Sequence, residues 1–201
     1  MSPVDSTTLD WLIAGDPAIR WQVQRDLLAE NSAVYESERA RIATEGWGAR
    51  CLSYQDKHGI WGNGLYSPKW ISTHYTLWTL RFIGLPPGNP LARKACRILL
   101  AEGFRPDHGV DFSGEGVRRR GKGEDARRPL RGRGETCITG MALAMFSYFQ
   151  MEDERVDLIA EHLIGQQMGD HGWNCQYLRG ATHASFNTTL LALEGLREDR
   201  A

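Results

Sequence analysis

With 201 residues, 41% of them hydrophobic, and a formal net charge of -1, the chain can form one ordinary domain with a sizeable core. That charge gives no global pull towards nucleic acid or an acidic membrane, and no apolar run approaches the roughly 18 residues needed to span a bilayer. The four cysteines, at positions 51, 96, 137 and 175, form no CxxC pair, and the first residues lack the basic-then-apolar order of a secretory signal, so a reducing, cytoplasmic setting is expected.

Trp11 and Leu12 predict a short first helix. Asp16-Pro17 is a strong helix start, with an acceptor side chain at the cap and a ring whose φ suits the first turn. Ile19, Val23 and Leu27 follow at helical spacing, and Ser32 is expected to cap a second helix, rich in Glu and Arg, that ends near Gly46. Residues 70–82 are apolar almost all round (Trp70, Ile71, Tyr75, Leu77, Trp78, Leu80, Phe82), which predicts a helix buried on most sides. After Pro86-Pro87 the pattern changes: Leu91, Ala95 and Leu99 share one face, and Arg93, Lys94 and Arg97 the other. The same contrast returns. Residues 137–149 are apolar throughout, whereas Val156, Ile159, Leu163 and Ile164 are interleaved with Asp157, Glu161 and His162. Apolar helices alternating with amphipathic ones predict an all-α fold in which an inner row of helices is wrapped by an outer row.

A short motif marks the repeat. Gln55-Asp56-Lys57-His58-Gly59-Ile60-Trp61 precedes one apolar helix, and Gln167-Met168-Gly169-Asp170-His171-Gly172-Trp173 precedes another. Both helices end in Gly-Leu, at Gly84-Leu85 and Gly195-Leu196, and Asp107-His108-Gly109-Val110 is a degenerate copy between them. His58, His108 and His171 occupy equivalent turns, which points to a shared turn role such as bonding the backbone. The repeat is interrupted at 114–134, where seven Arg, one Lys and several Gly leave almost nothing to bury. A mobile loop is expected there. Beside a pocket such a loop could hold a diphosphate or a nucleic-acid backbone; otherwise it is a solvated insertion.

The Gln55 copy fits Q-x-x-x-G-x-W and the Gln167 copy fits Q-x-x-D-x-G-W, with Gln55, Gly59, Trp61, Gln167, Asp170, Gly172 and Trp173 at the motif positions. The chain thereby resembles the α/α-toroid superfamily of terpenoid (squalene) cyclases and protein prenyltransferase β subunits. The resemblance implies one α/α-toroid-like domain over 1–201, a partial α/α barrel of repeated helical hairpins, and gives the motif residues a structural role. About three and a half hairpins are present where a closed toroid has five or six, so a short family member, a fragment of a longer toroid or a half-ring that pairs with another copy is expected. The cyclases' D-x-D-D acid cluster is absent, and so are a D-D-x-x-D magnesium cluster and a P-loop. Squalene-type cyclisation is therefore not expected.

Prenyltransferase β subunits bind zinc through an Asp-x-Cys at the start of an inner helix and a His on a later one. Glu135-Thr136-Cys137 keeps the acidic-x-Cys spacing, but Thr188 stands where the family has its His. The resemblance thus implies a zinc site of Cys137, Cys175 and His183, with Glu135 or water as the fourth group. Both cysteines are equally compatible with small core residues, and His183 with a role in starting its helix. Trp70, Tyr75, Trp78, Tyr148 and Phe186, with Tyr66, Phe146 and His74, are candidates to line an isoprenoid-like pocket. An aromatic stripe at helical spacing also suits plain core, and His74 a hydrogen-bonded core histidine. Two functions stay open: a protein that binds or transforms an isoprenoid-like small molecule with zinc assistance, or a non-catalytic helical-repeat module that binds a protein partner. An open ring would favour homodimers.

Overall fold

The computed structural model describes residues 4–112 and 132–200, so nearly all of the basic segment at 114–134 lies outside the described residues. The fold is all-α: nine α-helices and two 3-10 turns, with no β-strand among the described residues beyond an isolated bridge between Phe104 and Val110.

The N-terminal part packs α1 (Ser6–Ile13), α2 (Pro17–Asp26), α3 (Ser32–Ala40) and α4 (Gly46–Ser53) together. Asp16 caps α2 as expected: its Oδ1 accepts the Ala18 N–H at 2.9 Å, while Oδ2 accepts the Trp47 N–H at 2.8 Å and so ties α4 to α2. The cap of α3 is Asn31, one residue before the expected Ser32, and that helix stops at Ala40 before a 3-10 turn. Asn and Ser are comparable caps, so composition alone does not choose between neighbours.

Three apolar helices form one row. These are α5 (Thr73–Phe82), α7 (Thr136–Tyr148) and α9 (Phe186–Asp199); α5 packs on α7, and α7 on α9 in the most extensive helix contact of the molecule. The α7–α9 pair runs parallel: Gly140 lies against the Leu191 carbonyl, and further along Ser147 donates to Asp199 at 3.3 Å. Glycines make that approach close. A Cβ on Gly140 would stand 2.5 Å from the Leu191 oxygen, and one on Gly195 equally close to the Gly140 oxygen. The amphipathic helices α6 (Pro90–Gly103) and α8 (Glu154–Gly165) pack against α5 and against α7 and α9 respectively. They bury Ala95 and Leu99, and Val156, Ile159 and Leu163, as expected, whereas Leu91 in the first turn of α6 and Ile164 at the end of α8 are exposed.

The expected helix over 70–82 begins three residues late, at Thr73. Trp70 has φ 73°, a left-handed value that a bulky residue rarely adopts, and Trp70 and Ile71 are exposed. They belong to the loop that enters the helix. On α9 the side chains of Phe186, Leu190 and Leu193 form an exposed apolar stripe at helical spacing.

Candidate metal centre

The repeat motif builds three turns of one design. In each, an N–H closes a loop onto the carbonyl four residues on: Asp56 to Ile60, Arg105 to Gly109 and Met168 to Gly172. The turn then needs a left-handed residue, which is Gly59 (φ 96°) in the first copy, His108 (φ 68°) in the second and His171 (φ 66°) in the third. Two of the three histidines thus share a position, and His58 lies one residue before it. Gln55 donates to the carbonyls of Gly59 and Leu91, both at 3.0 Å, and Gln167 donates to that of His171 at 2.9 Å. Trp61 Nε1 donates to the Cys51 carbonyl at the end of α4, and Trp173 Nε1 to the Leu163 carbonyl at the end of α8. Each indole thus adds a second donor to a carbonyl in the last turn of the preceding helix, which also accepts a backbone N–H (from Tyr54 and from Gln166), while its ring is buried.

A feature the motif alone does not announce completes the turns. The backbone N–H after each loop donates to a threonine hydroxyl of the next apolar helix: Trp61 to Thr73 at 3.0 Å, Val110 to Thr139 at 2.9 Å and Trp173 to Thr189 at 2.9 Å. The separations in sequence are 12, 29 and 16 residues, so a fixed-period search misses the relation.

These turns set the start of α7 and the loop after Trp173 side by side. Glu135 is the N-cap residue of α7 and Cys137 lies in its first turn, while Cys175 follows Trp173 by two residues. One ligand atom from each of Glu135, Cys137 and Cys175 lies within 4.8 Å of the others, and all three residues are half-buried. Cys137 Sγ donates to Glu135 Oε1 at 3.4 Å. The Cys175 N–H donates to Thr188 Oγ1 at 3.3 Å, which ties the loop carrying Cys175 to α9. Burial pushes the Cys137 thiol well up, and the adjacent Glu135 and Cys175 push it further. Two sulfurs and a carboxylate crowded together in partial burial repel one another once ionised, and a soft divalent cation would remove that repulsion. The donor set fits zinc.

His183 does not join them. Its side chain is exposed, outside the group of converging donors, while its carbonyl accepts the Asn174 side-chain N–H at 2.7 Å.

The aromatic candidates separate into two places. Tyr66 lies beside Glu135, Cys137 and Tyr75, and burial with these neighbours raises its phenol well above the ordinary value. Its ring packs on Tyr75 at 5.2 Å and edge-on to His74 at 5.3 Å, and Trp70 continues the row 5.2 Å from Tyr75. His74 is fully buried in this cluster, 5.4 Å from Phe112, and neither ring nitrogen has a hydrogen-bond partner. Burial pushes its pKa down to about 3, so it is neutral over the ordinary pH range. It is a core histidine, but not a hydrogen-bonded one. Trp78 and Tyr148 lie at the far end of the row, near the C-termini of α5 and α7. Eleven residues of helix, about 16 Å, separate Tyr148 from Cys137. The Tyr148 hydroxyl donates to the Leu85 carbonyl and accepts from Arg39, both at 2.8 Å. Phe146 is fully buried core, and Phe186 is 84% exposed.

Comparison with protein-family models, curated proteins and solved structures gives no match.

Proposed function

We propose that the chain is a partial α/α toroid of the prenyltransferase and terpenoid-cyclase kind, which binds or transforms an isoprenoid-like apolar ligand with zinc assistance. The observation that carries this reading is the convergence of Glu135, Cys137 and Cys175 at the start of α7, beside an aromatic row. Glu135 would offer an oxygen and the two cysteines their sulfurs, leaving a fourth position for water or ligand, as in catalytic rather than closed structural sites. Zinc bound there would supply Lewis acidity or hold a thiolate. Tyr66 places a protonated hydroxyl next to the cluster, and Tyr75 and Trp70 offer ring faces to an apolar chain. Relative to the prenyltransferase pattern, Cys175 takes over the soft-donor role that a histidine has in the family, and His183 is dispensable. Alkene protonation by a D-x-D-D acid is not part of the proposal. A reducing, cytoplasmic setting is part of this reading, since thiolate ligands need reduced cysteines.

Metal analysis of the protein purified without a His tag tests this. About one zinc per chain is expected, lost in Cys137→Ser and Cys175→Ser and retained in His183→Ala. Metal-free, folded wild type would contradict the zinc reading. The second reading, a helical-repeat module that binds a protein partner or a second copy, is favoured by the exposed stripe of Phe186, Leu190 and Leu193 and would then take its place.

A further inference from the structure

The two sulfurs of the cluster invite a chemistry that needs no metal. Cys137 is anchored in the first turn of α7, whereas Cys175 lies in a loop between the buried Trp173 and the 3-10 turn Tyr177–Arg179. Their Sγ atoms are within 4.8 Å of each other, and each residue keeps some exposure to solvent. A disulfide needs about 2.05 Å between sulfurs, so the gap is closed by side-chain rotation and a small shift of the loop that carries Cys175. Of the other two cysteines, Cys96 is fully buried on α6 and Cys51 lies on α4, and neither joins a cluster of three or more donors among the described residues.

We propose that Cys137 and Cys175 form an oxidation site that closes into an intramolecular disulfide on exposure to hydrogen peroxide. The peroxide oxidises one thiol to the sulfenic acid and releases one water. The second sulfur then attacks the first, the S–S bond forms as the S–O bond breaks, and a second water leaves. Two thiols lose two hydrogens, and the peroxide is reduced to two waters. The disulfide removes both sulfur donors from the cluster, so the oxidised chain cannot hold a soft metal there. The proposal shares its residues with the metal reading but does not depend on it.

The test is peptide mapping of the full chain after treatment with hydrogen peroxide, on chelator-treated and zinc-supplemented samples in parallel. The expected product in the chelator-treated sample is a monomer in which the Cys137 and Cys175 peptides are cross-linked with the loss of two hydrogens, while Cys51 and Cys96 remain alkylatable. Cys51→Ser should leave the cross-link intact, and Cys137→Ser should abolish it and leave Cys175 open to a sulfenic-acid trap. Oxidation of either sulfur to sulfinic acid without a cross-link, or full alkylation of both after treatment, would overturn the proposal. Equal cross-linking in both samples would uphold it while counting against zinc, and protection by zinc would uphold both.

Discussion

Thr189 accepts the backbone N–H of Trp173 at 2.9 Å, and Thr139 does the same for Val110, so each apolar helix is pinned to the turn before it by one hydroxyl. The Val110 bond is fully buried. Thr139→Val keeps the shape and removes the acceptor, leaving a buried N–H unpaired. A loss of about 1–3 kcal/mol is expected by urea denaturation. Thr189→Val, at a partly buried site, should lose less. Equal and negligible losses would mean that water replaces the hydroxyl in both turns.

The parallel contact of α7 and α9 depends on two glycines. Gly140→Ala places a methyl 2.5 Å from the Leu191 carbonyl oxygen, which is rigid helix backbone. The helices must separate, with an expected destabilisation of about 1–3 kcal/mol. Gly165→Ala, at a position with open space around it, is the control and should be well tolerated. Thermal unfolding of the two variants distinguishes them.

Arg81 holds α5 to α9 through Glu194 at 2.8 Å and Glu198 at 2.6 Å, with only 5% of its side chain exposed. Arg81→Met would leave two largely buried carboxylates facing each other without their cation. A loss of about 3 kcal/mol is expected at neutral pH, partly recovered in the triple variant with Glu194→Gln and Glu198→Gln. No recovery would show that stacking of the guanidinium on the rings of Trp78 and Phe82 is what matters.

His74 predicts a pH dependence with a defined sign. The folded protein lowers its pKa from 6.5 to about 3, so between those values the unfolded chain binds the extra proton. Its contribution is fully kept above pH 6.5 and lost as pH falls towards 3, at up to about 1.4 kcal/mol per pH unit. His74→Leu should flatten the fall in stability between pH 6.5 and 4. An unchanged slope would place the sensitivity in His162, whose pKa burial also lowers from 6.5, since Asp56 and Asp170, held low by backbone N–H groups, add theirs only at about pH 4 and below.

The helices and their alternation are legible in the sequence because period and capping are local signals: Asp16-Pro17 and the apolar face of α8 are where they are expected. The start of α5 is not. Trp70 and Ile71 have the composition of a buried helix, but the chain needs those residues to turn from Gly62 into Thr73, and the loop leaves them exposed. At the candidate site, the acidic-x-Cys spacing identifies Glu135 and Cys137 because both lie at the start of one helix. Cys175 is brought in by a tertiary turn, and His183, whose side chain is exposed, stays outside the cluster. Tyr148 fits an aromatic pocket by spacing, yet its hydroxyl is fixed by partners 63 and 109 residues away, which no local pattern reveals.

A soft-metal centre at Glu135, Cys137 and Cys175 would show itself in cobalt substitution under reducing conditions. Stoichiometric Co²⁺ should give thiolate-to-cobalt charge-transfer absorption together with the visible bands of four-coordinate cobalt. The charge-transfer absorption should be lost in Cys137→Ser and in Cys175→Ser, which no longer hold the metal, and be unchanged in His183→Ala. A spectrum of hydrated, six-coordinate Co²⁺ with the wild-type chain folded would rule out a metal centre at these residues.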